Sequence, residues 1–163
     1  MIGLAIKEEL VMRLSGGCSC GAVRFTISRY LYAQICHCDA CKKRTGSAYG
    51  VSVAIDNPDL ESLRGETRTF TRIAESGNPV EYDFCPNCAT TIRWRVAALR
   101  GRQVLAGGAF DDPRAFEMAG EMYTDEALAW ARIGCDLTRQ GAPDEPYRQA
   151  MIARTAGASA HHT

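Results

Sequence analysis

Seven cysteines in three short clusters are the residues of this sequence best suited to chemistry. The clusters are Cys18 and Cys20; Cys36, Cys38 and Cys41; and Cys85 and Cys88. Thiolate-rich tetrahedral sites favour zinc or iron–sulfur centres. We interpret the clusters as ligands of zinc.

The first and third clusters together predict one closed site of four thiolates. Cys18 and Cys20 are two residues apart, so in an extended segment they point to the same side. Proline and asparagine between Cys85 and Cys88 favour a tight turn that brings the two sulfurs together. A redox role for the C-x-x-C pair would need a βαβ context, which the pattern lacks. A structural zinc that joins two distant segments is the preferred interpretation.

The middle cluster leaves three thiolates, and three protein ligands leave a coordination position for water or substrate. Cys36, Cys38 and Cys41 are therefore the candidate catalytic residues, holding a second, open zinc site. His37 lies between two of them and has three readings: a fourth ligand, a substrate contact or supporting residue, or plain packing. On an extended backbone it would point away from its neighbours.

Three basic residues, Lys42, Lys43 and Arg44, follow the middle cluster directly. Three thiolates around a divalent ion carry a net charge of about −1, so adjacent cations would lower thiolate pKa values and attract a substrate carboxylate. Lys43 and Arg44 are the candidate substrate-binding residues. The alternative is a solvated basic turn. Cys135 lies outside the clusters and is interpreted as a core thiol.

Alternating apolar residues predict a mainly β fold. The predicted strands are residues 22–27, 47–55, 67–73, 80–84, 91–96 and 104–110. Residues 126–133 fit helical turns or a strand, and residues 147–154 fit a short helix. We predict a lead-in over residues 1–14, a single zinc-binding domain over residues 15–147, and a partly disordered tail over residues 148–163.

Composition argues against several function classes. Nineteen basic residues balance nineteen acidic ones, so nucleic acid and anionic membranes are not expected partners. No apolar run is long enough to span a membrane, and the first residues do not resemble a secretory signal. We therefore expect a cytoplasmic protein, in which clustered cysteines bind metal more often than they form disulfides, the alternative reading.

Familiar catalytic constellations are missing as well. The chain has three histidines, and His161 and His162 lie in the expected tail. A serine or cysteine hydrolase would need His37, inside a metal cluster, as its base. The sequence contains neither a P-loop nor a dinucleotide-binding glycine motif.

The three motifs, in order and spacing, resemble the glutathione-dependent formaldehyde-activating enzyme family, which also includes centromere protein V. They are residues 17–23, 36–46 and 84–88, and the resemblance covers roughly residues 14 to 140. It implies a β-tent fold of coiled sheets joined by zinc. It also implies a structural zinc on the four-cysteine set and a more labile zinc on the three-cysteine set. Ala89 departs from the family, which usually has glycine there.

The resemblance further implies an activity, the condensation of glutathione with formaldehyde to S-(hydroxymethyl)glutathione, a carbon–sulfur lyase reaction. The expected partners are thus a small thiol such as glutathione and a small aldehyde. Lys43 or Arg44 would stabilise the developing alkoxide. The alternatives are a non-catalytic zinc-binding module and a thiol or metal sensor.

Overall fold

A computed structural model describes residues 13–158 and confirms the mainly β prediction. Helices are limited to α1 (Asp39–Thr45), α2 (Glu145–Ala158) and short 3-10 turns in the described part of the chain. The strands are β1 (Leu14–Gly17), β2 (Arg24–Ile27), β3 (Tyr32–Cys36), β4 (Gly50–Asp56), β5 (Leu60–Arg64), β6 (Arg68–Ile73), β7 (Pro79–Phe84), β8 (Thr91–Val96), β9 (Arg102–Ala106), β10 (Met118–Met122) and β11 (Thr138–Arg139).

The strands form two sheets. The smaller has the order β1-β2-β5 and is antiparallel, and the larger has the order β11-β10-β3-β4-β9-β8-β7-β6. In the larger sheet, β10 runs parallel to both β3 and β11, whereas the remaining neighbours are antiparallel. This topology places the end of β3, which carries Cys36, directly beside the start of β4 and the end of β10.

The main core lies between the two sheets. Phe25 and Ile27 of β2 pack with Val53 and Ile55 of β4 and with Leu105 of β9, all almost completely buried. Burying a side chain of this size stabilises a fold by roughly 1.5–3 kcal/mol. The core therefore fixes β4 and β9, the strands next to the site, against the smaller sheet.

Helix α2 covers the opposite face of the large sheet at the β3 end. Met151 is fully buried and packs with Tyr147, Tyr32 and Ala54. The predicted boundary at residue 147 falls inside this helix, whose apolar side covers β3; the division of the chain into domain and tail stays a prediction. The ends of the predicted lead-in and tail, residues 1–12 and 159–163, lie outside the described residues.

Several predicted elements differ in detail from the structure. The strand predicted over residues 47–55 begins only at Gly50, because helix α1 and its left-handed cap at Gly46 occupy the preceding segment. The predicted strand over residues 104–110 ends at Ala106, where Gly107 approaches Val51 so closely that a Cβ would lie 2.3 Å from Val51 Cγ1. Residues 126–133 contain a 3-10 turn, Ala129–Ala131, with extended residues flanking it.

A buried carboxylate holds the other end of the large sheet together. Asp83 of β7 is almost fully buried and accepts hydrogen bonds from Thr69 Oγ1 at 2.7 Å, Arg93 Nε at 2.7 Å and Arg95 Nη1 at 2.6 Å. Burial raises the pKa of Asp83, but the hydrogen bonds from Arg95, Thr69 and Arg93 outweigh it and lower that pKa to about 2. The carboxylate thus links β6, β7 and β8.

Asp83→Asn is expected to lower the free energy of unfolding by about 3 kcal/mol at neutral pH, because it leaves two arginines facing a neutral amide. Since the folded pKa lies below the unfolded one, the contribution of Asp83 is present above about pH 4 and is lost as the pH falls towards about 2. Urea denaturation at several pH values measures both effects.

Asp111→Asn is the matched control, because the Asp111 side chain is 50% exposed in its ion pair with Arg24. Exposed pairs contribute about 0–1 kcal/mol. Equal losses in the two variants would contradict the role given to Asp83.

Candidate metal centres

The four-cysteine cluster forms where the smaller sheet meets the turn between β7 and β8. The sulfurs of Cys18, Cys20, Cys85 and Cys88 all lie within 4.8 Å of one another. The Sγ atoms of Cys18 and Cys20 are 3.5 Å apart, and those of Cys20 and Cys85 are 3.7 Å apart. Four sulfurs at this spacing make a donor set for one tetrahedral metal ion.

A tight turn, not the expected extended segment, brings Cys18 and Cys20 together. The Gly21 N–H donates to the Cys18 carbonyl at 3.0 Å, and Gly21 has a φ of 79°. The Val23 N–H donates to Cys18 Sγ at 3.2 Å. A backbone donor of this kind favours a charged sulfur, which is the form that binds metal.

Thr90 connects the two halves of this cluster. Its hydroxyl lies 3.2 Å from Cys88 Sγ and accepts from the Ser19 N–H at 3.2 Å. The hydrogen bond from Thr90 lowers the pKa of Cys88 to about 5. Thr90 therefore orients one ligand and ties its loop to the Cys18–Cys20 turn, as supporting residues around metal ligands do.

Ala89, at the position where the resembling family usually has glycine, adopts a left-handed conformation with a φ of 58°. Its N–H donates to the Cys85 carbonyl at 2.9 Å, which closes the turn around the ligands. A non-glycine residue in this region is strained by roughly 1 kcal/mol. The turn that carries Cys85 and Cys88 is therefore maintained at a small cost in backbone energy.

Ala89→Gly is expected to raise the unfolding free energy by about 0.5 kcal/mol, because relief of the strain slightly exceeds the added flexibility of the unfolded chain. Thermal melting of the metal-loaded protein measures the change. Ala127→Gly is the control, since Ala127 has a φ of −65° and glycine there should lower stability. A lower melting temperature for Ala89→Gly would contradict the strain assigned to this turn.

The three-cysteine cluster lies at the junction of β3 and α1. Cys36 ends β3, Cys38 precedes the helix and Cys41 lies in its first turns; their sulfurs are within 4.8 Å of one another. The Sγ atoms of Cys36 and Cys38 are 3.4 Å apart. Hydrogen bonds from the Cys36 and Cys41 thiols lower the pKa of Cys38 to about 2, and the bond to Cys38 raises the pKa of Cys36.

Among the described residues, no histidine, aspartate or glutamate joins this group as a fourth ligand. Cys36 and Cys41 are buried, whereas Cys38 is half-buried. Three sulfurs without a fourth protein ligand among the described residues suit a metal ion with one exchangeable position.

His37 lies between two of these ligands but faces the other way. It is fully buried, and its Nε2 donates to Glu121 Oε2 at 2.8 Å. Burial raises the pKa of Glu121, but hydrogen bonds from the Cys135 backbone N–H and from His37 outweigh it and lower that pKa. The side chain of His37 has no exposed surface, which favours a supporting role; its contact with a substrate stays a prediction. His37 positions the ligand loop against β10.

The three basic residues of α1 have different roles. Lys42 pairs with Asp39 at 2.8 Å and donates to the Glu126 carbonyl at 3.0 Å, and Lys43 is exposed. Arg44 folds back over the sheet, with its guanidinium carbon 4.4 Å from the centroid of the Trp94 ring. Arg44 lies beside Gly50 and Cys41 of the three-cysteine cluster, and Lys42 interacts electrostatically with Cys38.

Two residues near this cluster could not be predicted from the sequence. Arg72 of β6 is close enough to interact electrostatically with Cys38, although the two are far apart in sequence. Tyr123 has a left-handed φ of 56° directly after β10. Burial, together with the charges of Cys38 and Cys36, raises the pKa of Tyr123 to about 12. No local signal marks either residue, because β6 and β10 reach the cluster only through the sheet order.

The sequence of this chain matches the model of a known protein family. The family model described as glutathione-dependent formaldehyde-activating enzyme matches residues 13–126, a span that includes both cysteine clusters. The chain belongs to this family. Membership agrees with the geometry, because the seven cysteines of the matched region separate into groups of four and three.

One curated relative in the formaldehyde-activating family comes from Halomonas elongata and is named "Putative glutathione-dependent formaldehyde-activating enzyme". It is 33% identical over 86 residues, which are 50% of this chain and 55% of the relative. The chain thus spans about half the length of that relative.

A crystal structure of a Rhodobacter sphaeroides protein from structural genomics is similar in fold. Its TM-score is 0.50 at 19% identity, over 62% of this chain and 93% of the other. The likeness concerns the fold alone.

Cys135 is half-buried and not part of either cluster, and its backbone N–H donates to Glu121 Oε1 at 2.7 Å. Cys135 is thus more exposed than the prediction of a core thiol implies.

Within residues 13–158, no helix is both long enough and apolar enough to cross a membrane.

Proposed function

We propose that this protein binds two zinc ions and acts as a carbon–sulfur lyase, forming and breaking the adduct between glutathione and formaldehyde. The single observation that supports this most is the three-cysteine cluster. It offers three sulfurs within 4.8 Å and no fourth protein ligand among the described residues. The name of the matching family supports glutathione and formaldehyde as the substrate pair. We further propose a cytoplasmic location, where eight free cysteines remain reduced.

Zinc fits both donor sets, because it binds thiolates tetrahedrally and tolerates three or four of them. Cys18, Cys20, Cys85 and Cys88 would hold the structural ion. Cys36, Cys38 and Cys41 would hold the second one. That ion would supply a Lewis-acid position that keeps a substrate thiol in its thiolate form.

The residues of the chain prepare the rest of the reaction. Helix α1 and strand β3 fix the three cysteines, and the buried His37–Glu121 hydrogen bond holds the loop between them. Arg44, stacked on Trp94, places a cation beside the cluster, where it would attract an anionic thiol. Lys43 is exposed and is assigned a weaker role, the attraction of anionic thiols towards the site.

The reaction needs no oxidant or reductant. The thiolate sulfur forms a bond to the carbonyl carbon of formaldehyde, and the electron pair of the C=O π bond moves to oxygen. The resulting alkoxide takes a proton from solvent to give S-(hydroxymethyl)glutathione. The reverse reaction removes that proton and breaks the carbon–sulfur bond.

The test is a rate measurement against a fast uncatalysed background. Two-dimensional exchange NMR on mixtures of glutathione and formaldehyde gives the rate of adduct formation with and without zinc-loaded protein. The proposal predicts an increase proportional to protein concentration. Rates identical to the uncatalysed reaction would overturn the lyase assignment; glutathione binding without acceleration would then indicate the zinc-binding module.

A further inference from the structure

Two arginines from separate elements flank one aromatic ring beside the three-cysteine cluster. The guanidinium carbon of Arg44 lies 4.4 Å from the centroid of Trp94 and 5.8 Å from that of Tyr82. The guanidinium carbon of Arg72 also lies 5.8 Å from the centroid of Tyr82, and its Nε donates to Tyr82 Oη at 3.1 Å. Both cations are therefore held on the same face of the sheet.

The sheet register explains this convergence. Tyr82 of β7 is paired with Trp94 of β8, and directly paired residues share a face. Gly50 of β4 pairs with Cys36 at the far side of the same sheet. A Cβ on Gly50 would lie 2.8 Å from Arg44 Nη2 and 3.6 Å from Cys41 Sγ, so the guanidinium and the thiol are close neighbours beside Gly50.

Neither arginine has a carboxylate partner among the ion pairs of residues 13–158, although most arginines in those residues do. The contrast is with Arg93 and Arg95, which both bind Asp83. The Nε and Nη2 atoms of Arg44 are buried and have no hydrogen-bond partner. Buried charged donors without partners are unfavourable. An anion that reached them through a shift of the surrounding side chains would remove that cost.

Donor geometry, more than net charge, favours a carboxylate. Three thiolates, one divalent ion and the substrate thiolate would carry a net charge of about −2, which the two guanidinium groups would neutralise. Arginine, with its planar fork of donors, matches a carboxylate better than lysine does.

We propose that Arg44 and Arg72 bind a carboxylate of the thiol substrate and so select acidic thiols over neutral ones. This inference rests on the proposed function. Trp94 and Tyr82 fix the Arg44 guanidinium before the ligand arrives, through cation–π contacts. Little side-chain freedom is then lost on binding.

The test compares two thiols on the zinc-loaded protein by isothermal titration calorimetry. 3-Mercaptopropionate and 3-mercapto-1-propanol differ in whether the chain ends in a carboxylate or a hydroxymethyl group. We expect the wild-type protein to bind the carboxylate at least about tenfold more tightly, since hydrogen bonds to charged groups contribute roughly 1.5–3 kcal/mol. Equal affinities in the wild type would overturn the inference.

Variants assign the preference to the two arginines. Arg44→Met keeps a long side chain over Trp94 and should lose most of the preference, and Arg72→Met, on a different element, should lose part of it. Arg114→Met is the matched control, because the side chain of Arg114 is 89% exposed, in a surface turn. A preference retained by Arg44→Met and Arg72→Met would contradict the proposal.

Binding and turnover separate the two proposals. Acceleration of both thiols without discrimination would leave the lyase function standing and refute the carboxylate site. Tighter binding of the carboxylate thiol without acceleration would leave the carboxylate site standing and refute the lyase function.

Discussion

A Cys85→Ser variant is expected to lose the cooperative unfolding transition of the wild-type protein and to populate an unfolded chain at room temperature. Cys85 is fully buried, and its sulfur lies within 3.7 Å of that of Cys20, 65 residues earlier. A metal ion held there would join the smaller sheet to the turn between β7 and β8. Structural zinc contributes roughly 10–16 kcal/mol, as much as the whole stability of a typical domain, roughly 5–15 kcal/mol.

Near-UV circular dichroism during heating measures this loss, and the same result is expected when a strong chelator removes both ions from the wild type. Cys135→Ser is the control, since Cys135 belongs to neither cluster and serine keeps its backbone N–H. A Cys85→Ser protein that melts cooperatively at the wild-type temperature would show that the four-cysteine site is not structural.

The second large effect is expected at Cys38. Cys38→Ser should reduce catalysis of adduct formation to the uncatalysed rate and lower the metal content by one ion per chain, while the unfolding transition persists. Cys38 is the half-buried member of its cluster, and the cluster lies at the edge of α1, outside the main core. Two remaining thiolates bind zinc much more weakly than three.

The readouts are the exchange rate by NMR and zinc by atomic emission, on protein whose fold is checked by circular dichroism. The opposite pattern, full activity with only one ion bound, would remove the three-cysteine cluster from the mechanism. Unfolding of Cys38→Ser to the same degree as Cys85→Ser would show that the two sites do not divide into structural and catalytic roles.

The cysteine pattern is enough to predict which sulfurs lie together, in groups of four and three, because metal ligation restricts residue type and local spacing far more strongly than packing does. The alternation of Val23, Phe25 and Ile27 likewise predicted β2. The geometry within the ligand segments was less accessible. Cys18 and Cys20 converge through a turn at Gly21, and helix α1 begins directly after Cys38.

The surroundings of the second cluster could not be predicted from local sequence. Arg72 reaches it because β6 pairs with β7, and Glu121 reaches His37 because β10 lies parallel to β3. Such neighbours depend on strand order, which alternation does not encode. Residues 126–133 fit either helical turns or a strand in sequence. The ambiguity has a physical reason, because the 3-10 turn in this segment has neither the period of an α-helix nor that of a strand.

The most direct test of the account is native mass spectrometry of the protein, purified under reducing conditions in the presence of zinc. Two separate cysteine clusters predict a chain carrying two zinc ions, with all eight cysteines reduced; mild acid should release one ion before the other. A metal-free chain whose mass is lower by two hydrogens for each of two or more disulfides would contradict it, because the sulfurs would then be bonded to one another.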